Sequence, residues 1–421
     1  MLALTCRITT LTQAANLAYH LQNNLPPELL ELIQMAGETA TGQGQTLYLV
    51  GGIVRDLFLG RPNLDLDLVV EGDALKLANE LAQRTGGEML SHPRFGTAKF
   101  HCRGLSIDLA TARTETYAKP GSLPTVKPGL ISDDLIRRDF SINAMAIHLD
   151  PEHYGNLIDP YGGRKDIEHH LIRILHPNSF IDDPTRSLRA LRYQQRLGFQ
   201  LEQNTSELLQ RDAPILEQVS GDRIRHELEL ILKEDRPERV LRRAGELKVL
   251  QQLHPSLKGN GWLEEKFEQA RRSSQRPTPA ALYLSLLIYH LSEEESESLI
   301  SRLKMTKGRT QTMRDTLRLK AELHTLADPC LPNKGIYRLL RGYAPQAILA
   351  NSIASDSPII RHRLRLFLTE LRYVKSSLDG DALKKLGVPT GPKLGQILEA
   401  LRDARLDGEA KTREDEKQLV H

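Results

Sequence analysis

The sequence has few cysteines and no long apolar run. Only Cys6, Cys102 and Cys330 occur among 421 residues, and they are too few and too scattered for a disulfide framework or a cysteine-based metal cluster. No stretch approaches the roughly 18 uninterrupted apolar residues of a membrane-spanning helix. The first 24 residues lack the basic start of a signal peptide. We therefore expect a cytoplasmic protein with no membrane span.

The overall charge is small, but its distribution is uneven. With 40% apolar and 26% charged residues, the composition excludes a disordered or collagen-like chain. The net charge of +3 would not by itself suggest a nucleic-acid partner. Residues 1–150 carry 13 basic and 16 acidic side chains, whereas residues 151–421 carry 44 and 38. This mild asymmetry hints at two parts with different roles.

The pattern of apolar residues changes near residue 165. From about residue 46 to 150, short β-type runs such as TLYLVGG and DLDLVVEG alternate with turns, and one helix is predicted between Asp73 and Thr85. After residue 165 the pattern is helical, with no further β alternation. We predict an α+β first part followed by successive helical regions of the same chain. The helical segments are interrupted near Pro214, Pro237, residues 259–261, residues 329–333 and Pro358.

The stretch LVGGIVRDLFLGRPNLDLDLVV, residues 49–70, suggests a phosphate site. A strand enters Gly51 and Gly52, and a helix with Arg55 follows. Glycines at a strand-to-helix turn let backbone N–H groups approach a phosphate, and the helix N-terminus adds favourable charge. Arg55 would add a direct phosphate contact.

Three acidic residues follow on predicted strands. Asp65 and Asp67 should point to one face of a strand, where a divalent cation would relieve their repulsion. Asp108 lies between apolar residues in LSIDLATA, where an unpaired buried carboxylate would be costly. Solvated acids at a strand end are the ordinary alternative for an isolated DxD. The upstream Gly51 and Gly52 element favours a Mg²⁺ site instead.

A further basic segment is DDLIRRDFSINAMAI, residues 133–147. Arg137 and Arg138 could contact phosphate and ribose. Asp139 and Asn143 would face one ligand if this segment is helical. The alternative is a helix with a surface salt bridge, and the sequence leaves open which arginine lies closer to a nucleotide.

Together these motifs resemble the class II tRNA nucleotidyltransferase and bacterial poly(A) polymerase family. The resemblance runs from about Val50 to Phe199 and includes the later DDPTRSLRALRY. It implies a polymerase-β-like nucleotidyltransferase head (mixed sheet with helices) followed by an all-helical neck, body and tail. The implied boundaries are 1–150 for the catalytic head, with its sheet from about residue 46, 151–235 for the neck, 236–330 for the body and 331–421 for a tRNA-binding tail.

The resemblance also implies an activity, which is template-independent addition of C and A from CTP and ATP to a tRNA 3′ end by two-metal phosphoryl transfer. Asp65 and Asp67 would hold two Mg²⁺ ions, and Asp108 would complete the catalytic set. The nucleotide would contact Gly51, Gly52, Arg55, Arg137, Arg138, Asp139 and Asn143. In the hinge-like segment 156–175, Asp159, Asp166 and Arg173 would act through packing.

The neck motif of the family is usually Glu-Asp-x-x-Arg, and here Asp182 replaces the glutamate. Asp183 and Arg186 match the base-selecting pair. A carboxylate accepts from the exocyclic amine of C or A while a guanidinium donates to acceptors on the same edge. Arg189 and Arg192 share a helical face with Arg186 and are expected to contact the triphosphate, the alternative being a solvated basic face.

Two basic clusters in the helical half, residues 302–320 and 361–375, could bind an RNA backbone, although solubilising helix faces are nearly as good an explanation. The LGVPTGP turn before Lys393 resembles a tail element that meets tRNA. His169 and His170 are interpreted as a surface pair, and without an adjacent His-Asp pair no metal phosphohydrolase domain is expected.

Several alternatives stay open within this resemblance. Poly(A) polymerases of the family usually carry Gly-Arg-Arg-Phe after the DxD strand, whereas this chain has Pro93-Arg94-Phe95-Gly96-Thr97, which favours tRNA end synthesis. Residues 111–132 are rich in proline and glycine and predict a partly mobile loop near the site. Because CC-adding members have this loop altered, addition of CC only remains possible. A non-catalytic RNA-binding protein on the same scaffold is a further alternative.

Overall fold

The computed structural model describes residues 16–274 and 277–420, which form two compact units. The first unit ends at Val219 and the second begins at Ser220. Cys102 and Cys330 are free thiols, and Cys6 lies outside the described residues. No helix in the described part of the chain is long and apolar enough to cross a membrane. The predicted division into head, neck, body and tail stays a prediction.

The first unit is built on a seven-stranded mixed sheet with the strand order β3-β4-β5-β2-β1-β8-β9. Strand β2 runs parallel to β5 and antiparallel to β1. The sheet confirms the α+β prediction for this part of the chain. Its strands are β1 (Thr46–Val50), β2 (Leu66–Glu71), β3 (Glu88–His92), β4 (Thr97–Cys102), β5 (Leu105–Thr111), β8 (Ala146–His148) and β9 (Leu157–Ile158), and outside it lie β6 (Arg113–Thr116), β7 (Thr125–Pro128), β10 (Leu171–Ile172) and β11 (Gln200–Leu201).

Some helices of the first unit lie between the strands in the sequence, and others follow the last strand of this sheet. The predicted helix between Asp73 and Thr85 is confirmed as α4, because the Asp73 side chain accepts from two backbone N–H groups at its start and Gly86 ends it in the left-handed conformation. The helices of the first unit are α1 (Ala18–Asn24), α2 (Pro27–Gly42), α3 (Gly52–Leu59), α4 (Ala74–Thr85), α5 (Ile131–Ile136), α6 (Gly163–Glu168), α7 (Ser179–Asp182), α8 (Arg186–Leu197) and α9 (Gln203–Asp212).

One face of the sheet packs against α5. Leu135 of the helix belongs to a buried cluster with four residues of the strands, which are Tyr48, Val50, Val69 and Ala146. Burial of this apolar surface holds the end of α5, and hence the arginine segment that follows it, over the centre of the sheet.

The segment predicted to be a loop, residues 111–132, contains an antiparallel hairpin instead. Strands β6 and β7 pair from Arg113 with Pro128 to Thr116 with Thr125. The prolines and glycines that suggested a loop lie mostly in the connection between the strands. Pro128 is compatible with pairing because this small sheet has only two strands, so both are edge strands.

The second unit is helical in its described residues, as predicted. Pro237 and Pro358 each occupy the first position of a helix, and Asn260 caps another by accepting from the Leu263 N–H at 3.1 Å. The helices are α10 (Gly221–Ile231), α11 (Pro237–Glu246), α12 (Gly261–Ser273), α13 (Ala280–Leu287), α14 (Glu293–Arg302), α15 (Lys307–Glu322), α16 (Asn333–Leu340), α17 (Pro345–Ala354), α18 (Pro358–Thr369), α19 (Gly380–Lys385), α20 (Pro392–Leu406) and α21 (Arg413–Val420).

The prediction of no further strands after residue 165 was wrong in one respect. Strands β10 and β11 form a short parallel pair, with Leu171 opposite Gln200 and Ile172 opposite Leu201. Each strand has only two residues, too few for an alternating pattern to be recognised in the sequence.

Candidate active site

The site lies where β2 and β5 run side by side. Asp67 and Asp108 are direct neighbours in the parallel register of these strands. Asp65 precedes β2, which begins at Leu66, so the prediction that both DxD acids lie on the strand was wrong for Asp65. Its backbone N–H instead donates to Asn63 Oδ1 at 2.9 Å, in the turn that leads into the strand.

The electrostatic environment of Asp67 is unfavourable for its charge. Loss of water around the carboxylate, together with repulsion from Asp65 and Asp108, raises the pKa of Asp67 to about 6, although Arg138 acts in the opposite direction. The oxygens of the three carboxylates do not all lie within 4.8 Å of one another, but carboxylate oxygens are the ligands that hard divalent cations such as Mg²⁺ prefer. The three carboxylates therefore fit a metal-binding role.

Asp108 is neither buried nor unpaired, contrary to the sequence-based expectation. Its side chain is 44% exposed and its Oδ2 lies 3.2 Å from the Nζ of Lys99 on β4. The neighbouring Ile107 and Leu109 are buried because side chains alternate between the two faces of a strand. Lys99 is thus a member of the site that the DxD pattern did not reveal.

The glycine turn lies directly beside these acids. Gly51 has φ +78°, a conformation that favours glycine, and a Cβ there would lie 2.9 Å from Arg138 Nη1 and 3.4 Å from Asp67 Oδ2. Helix α3 begins at Gly52, so the unpaired N–H groups of its first turn lie next to Asp67 and Arg138. Arg138, rather than Arg137, is therefore the arginine next to the turn.

Arg55 is buried on α3 and is held by two side chains. Its Nε and Nη2 each donate to Asp56 at 2.9 Å, and its Nη1 donates to Asn143 Oδ1 at 2.7 Å. The direct phosphate contact predicted for Arg55 stays a prediction. The observed bonds connect the helix after the glycine turn with the segment that carries Asn143.

A single carboxylate orients both predicted arginines. Asp134 is fully buried and accepts from Arg137 at 2.5 and 3.0 Å and from Arg138 at 2.9 and 3.2 Å. Burial opposes its ionisation, but Arg138 and Arg137 outweigh burial and hold the pKa of Asp134 below its ordinary value. The sequence reasoning missed Asp134, although acids three and four residues before arginines are a known pairing pattern.

The hairpin contacts the same arginine pair. Glu115 on β6 accepts from Arg137 Nη1 at 3.1 Å and from Arg113 at 2.9 and 3.1 Å. The hydroxyl of Tyr117 donates to its other oxygen at 2.7 Å. The segment interpreted as a loop is thus linked to Arg137 through Glu115, a residue with no local sequence signal.

Asp139 and Asn143 do come together, but not on a helix. The chain leaves α5 at Ile136, and residues 141–143 form a short 3-10 turn that lets Asn143 Nδ2 donate to Asp139 Oδ1 at 2.9 Å. Arg189 of α8 donates to Asp139 Oδ2 at 2.5 Å. Burial opposes ionisation of Asp139, but Arg189 and Asn143 hold its pKa below the ordinary value.

The neck motif lies at the start of α8. Buried Arg186 donates to Ser179 Oγ at 2.8 Å and to the carbonyl of Arg137 at 2.5 Å. Asp183 Oδ1 accepts from the backbone N–H and the hydroxyl of Thr185 at 3.0 and 2.6 Å. Arg186 therefore contacts the arginine segment directly, and this contact joins the neck motif to the site.

The remaining predicted residues of the first unit take framework positions. Arg192 is also buried on α8, with its guanidinium carbon 5.1 Å from the centre of the Tyr193 ring. Asp159 accepts from two N–H groups at the start of α6, and Asp166 accepts from Arg173 Nε at 3.0 Å. The hinge role expected for these three residues stays a prediction.

The basic clusters of the second unit are partly neutralised by neighbouring groups. Arg314 forms a paired contact with Glu297 at 2.6 and 2.7 Å, and Arg318 lies 3.3 Å from Asp315. Arg363 donates to several backbone carbonyls, including that of Leu326 at 2.9 Å. The LGVPTGP turn opens α20 as predicted, with Pro392 at its first position and Lys393 exposed.

Residues 47–173 match the family described as poly A polymerase head domain, and residues 198–259 match the probable RNA and SrmB-binding site of polymerase A. A protein of Geobacter sulfurreducens named A-adding tRNA nucleotidyltransferase is 34% identical over 421 residues, which cover 95% of this chain and 48% of that protein. The chain spans about half the length of the curated relatives that it matches first.

Solved structures cover nearly the whole chain. A structure described as the apo form II of a CCA-adding enzyme superposes with a TM-score of 0.83 at 32% identity, covering 97% of this chain and 99% of the other. The CCA-adding enzyme of Thermotoga maritima complexed with tRNA superposes with a TM-score of 0.77 at 31% identity and the same coverage.

Proposed function

The chain belongs to the class II tRNA nucleotidyltransferase family, and from this membership we propose that it transfers nucleotides from CTP and ATP to the 3′ end of a tRNA. The observation that carries the proposal is the pairing of Asp67 with Asp108 across β2 and β5, next to the Gly51 turn and Arg138. Carboxylates beside a phosphate-binding turn are what in-line phosphoryl transfer requires.

The acidic residues hold divalent cations in this proposal. Asp65 and Asp67 would hold two Mg²⁺ ions, and Asp108 would complete the set. Such ions, when bound, activate the attacking 3′-hydroxyl and offset the charge on the leaving pyrophosphate. Lys99 partly neutralises Asp108 through its Oδ2, and the other carboxylate oxygen is the one assigned to the site.

The triphosphate binds at the start of α3. The N–H groups at Gly51 and Gly52 and the guanidinium of Arg138 bind phosphate oxygens. Arg55 donates to Asn143, and Arg137 donates to Asp134 and Glu115. Both arginines are assigned to the same nucleotide site. Asp139 lies on the ribose side of the same site and accepts from Arg189 of α8, which together with Arg192 is assigned to the triphosphate.

The base is selected at the neck motif. Asp183 accepts from the exocyclic amine that C and A share, and Arg186 donates to an acceptor on the same edge. G and U present a different edge and lose these bonds. The contact between Arg186 and the Arg137 carbonyl supports this assignment, because it joins base selection to the triphosphate site.

The tRNA contacts are assigned to the helical part. The clusters at 302–320 and 361–375 and the turn before Lys393 bind phosphates without reading sequence, as an enzyme acting on many tRNAs requires. The same proposal assigns residues 1–150 to the head, 151–235 to the neck, 236–330 to the body and 331–421 to the tail, in a cytoplasmic enzyme.

A second candidate function is addition of the terminal A alone. It is favoured by the names of three curated relatives, from Geobacter sulfurreducens, Aquifex aeolicus and Halalkalibacterium halodurans, which are A-adding tRNA nucleotidyltransferases. A relative from Deinococcus radiodurans is named as CC-adding and several others as CCA-adding. Which of these activities the protein has depends on which nucleotides the neck motif accepts.

The deciding experiment supplies purified protein with three tRNA transcripts that end before CCA, after the first C and after the second C. Each transcript is incubated with CTP, with ATP and with both, and product length is read on a sequencing gel. A CCA-adding enzyme completes all three transcripts when both nucleotides are present. An A-adding enzyme extends only the transcript ending in CC, by a single residue.

The remaining alternatives give different products. Growth that stops after CC with both nucleotides present identifies a CC-adding enzyme, and long A tracts identify a poly(A) polymerase. No extension of any transcript in the presence of Mg²⁺, with tRNA still bound, would mean a non-catalytic RNA-binding protein and would overturn the proposal.

A further inference from the structure

We propose that His148, Asp150 and His153 form a binding site for a divalent transition-metal ion such as Zn²⁺, separate from the carboxylate site. His148 Nδ1 lies 2.9 Å from Asp150 Oδ2, and His153 Nδ1 lies 2.7 Å from Asp150 Oδ1. One donor atom from each residue lies within 4.8 Å of the others. No other such group of three occurs in the part of the chain that the structure describes.

The spacing of the donors suits one shared ion. Zn–N and Zn–O bonds of about 2.0–2.2 Å place neighbouring ligands of a tetrahedral ion roughly 3.3–3.5 Å apart. The present separations of 2.7 and 2.9 Å therefore have to open by roughly half an ångström, and the two imidazole nitrogens, which contact different oxygens of Asp150, have to turn towards one ion. Side-chain rotation of the half-exposed His153 can supply most of this change.

The backbone holds the three residues in place before any ion binds. His148 ends β8, and its N–H donates to the carbonyl of Asn156 at 3.0 Å while its own carbonyl accepts from Gly155 at 2.9 Å. The His153 N–H donates to Asp150 Oδ1 at 2.9 Å, which fixes the turn between the ligands. The His148 ring also packs on Tyr48, with 4.8 Å between ring centres.

The donor types indicate which class of metal the site takes. Two imidazole nitrogens and one carboxylate are ligands for Zn²⁺ and its neighbours in the first transition row. Mg²⁺ and Ca²⁺ prefer oxygen ligands throughout, so they should not compete here. Three protein ligands leave a fourth position for water or another ligand, and half-exposed His153 provides access from solvent.

The site is distinct from the carboxylates of β2 and β5. In the sheet, Val50 pairs with Asp67 on one side, whereas Tyr48 pairs with His148 on the other. The two sites are thus separated by β1 and by two residues along it, about 6–7 Å of strand length. An ion at His148 would stabilise the β8–β9 connection without occupying the phosphate turn.

The ordinary alternative is that both imidazoles only hydrogen-bond to Asp150. To distinguish a metal site from this alternative, the full-length protein is stripped with a chelator and dialysed into excess Mg²⁺ to fill oxygen-donor sites. It is then titrated with Zn²⁺ against a chromophoric competitor. The variants are His153→Ala and, as the matched control, His101→Ala, which removes an exposed histidine of β4. Co²⁺ absorption reports the coordination of the bound ion.

We expect one Zn²⁺ per chain, a visible Co²⁺ spectrum and a melting temperature that rises with Zn²⁺. His153→Ala should weaken binding by roughly a hundredfold or more, since loss even of a group that supports a ligand costs 10–100-fold, while His101→Ala should not. Equal Zn²⁺ affinity in the original protein and in His153→Ala would overturn the proposal. So would loss of the tight site in Asp67→Asn rather than in His153→Ala.

The melting temperature of His153→Ala without metal serves as the folding check. If it falls, His153→Gln provides the same test with a more conservative side chain. Nucleotide transfer is not a readout of this experiment, so its result does not depend on the proposed function.

Discussion

The carboxylate of Asp134 lies fully buried and accepts two hydrogen bonds from Arg138, at 2.9 and 3.2 Å. It also binds Arg137, so one acid sets the direction of both arginines. Arg138 in turn approaches Gly51 and Asp67. A residue that touches no nucleotide in the proposed function therefore determines where the triphosphate-binding guanidinium points.

Asp134→Asn should weaken both folding and nucleotide binding. Removing one partner of a buried ion pair leaves the other charges uncompensated and costs about 3–5 kcal/mol. We expect that loss in urea unfolding and a higher KM for the nucleotide in a transfer assay. Asp133→Asn is the matched control, because the Asp133 side chain accepts a hydrogen bond from the backbone N–H of Leu130 at the start of α5, not from an arginine. An unchanged KM in Asp134→Asn would contradict the positioning role.

Asp67→Asn should remove nucleotide transfer while tRNA binding persists. The substitution keeps the size of the side chain but removes the charge that a metal ion needs, and we expect a loss of rate of more than about a hundredfold. Asp65→Ala should have the same effect. Incorporation of labelled nucleotide and a gel-shift measurement with tRNA are the two readouts.

The control for this prediction is Asp73→Asn, since asparagine caps a helix about as well as aspartate and α4 should be unaffected. Undiminished incorporation in Asp67→Asn would refute the metal assignment.

Gly51→Ala should destabilise the first unit and displace Arg138. A side chain at φ +78° and ψ −138° costs about 1–3 kcal/mol. The new Cβ would also lie only 2.9 Å from Arg138 Nη1. We expect a lower melting temperature and a higher KM for the nucleotide. Gly42→Ala at the end of α2, where nothing lies within 4 Å, should not lower the melting temperature and should leave the KM unchanged.

The second unit should lose stability in acid through Glu416. Burial opposes ionisation of this fully buried residue, but the N–H groups of Ser377 and Leu378 and the guanidinium of Arg405 hold its pKa below the usual 4.5. Because the folded pKa lies below the unfolded one, the stabilisation is present above about pH 4.5 and is lost as the pH falls through the folded value.

Glu416→Gln should be less stable than the original protein at pH 7 and should lose less stability between pH 5 and 3. Fluorescence of Trp262, the single tryptophan of the chain, reports unfolding of the second unit at each pH. An identical dependence on pH in the two proteins would show that Glu416 is not responsible.

The local elements of the fold were predictable because their signals are local. Asp73 and Gly86 mark the two ends of α4, and Pro392 marks the start of α20. The contacts of Lys99 with Asp108 and of Glu115 with Arg137 were not predictable, because they depend on strand register and on a hairpin interpreted as a loop. Asp139 and Asn143 do lie close together, but through a 3-10 turn instead of the helix that was assumed, and their contact with one ligand stays a prediction.

By itself the sequence determined which residues are available for chemistry and in what order: a glycine turn, three acids, two arginines and a neck motif. Only the tertiary structure decided which of them meet. The parallel register of β2 and β5 places Asp67 beside Asp108, and burial of Asp134 beneath two arginines selects Arg138 for the glycine turn. Pairing between distant strands and shielding from water arise only when the chain packs, so the sequence pattern alone could not reveal them.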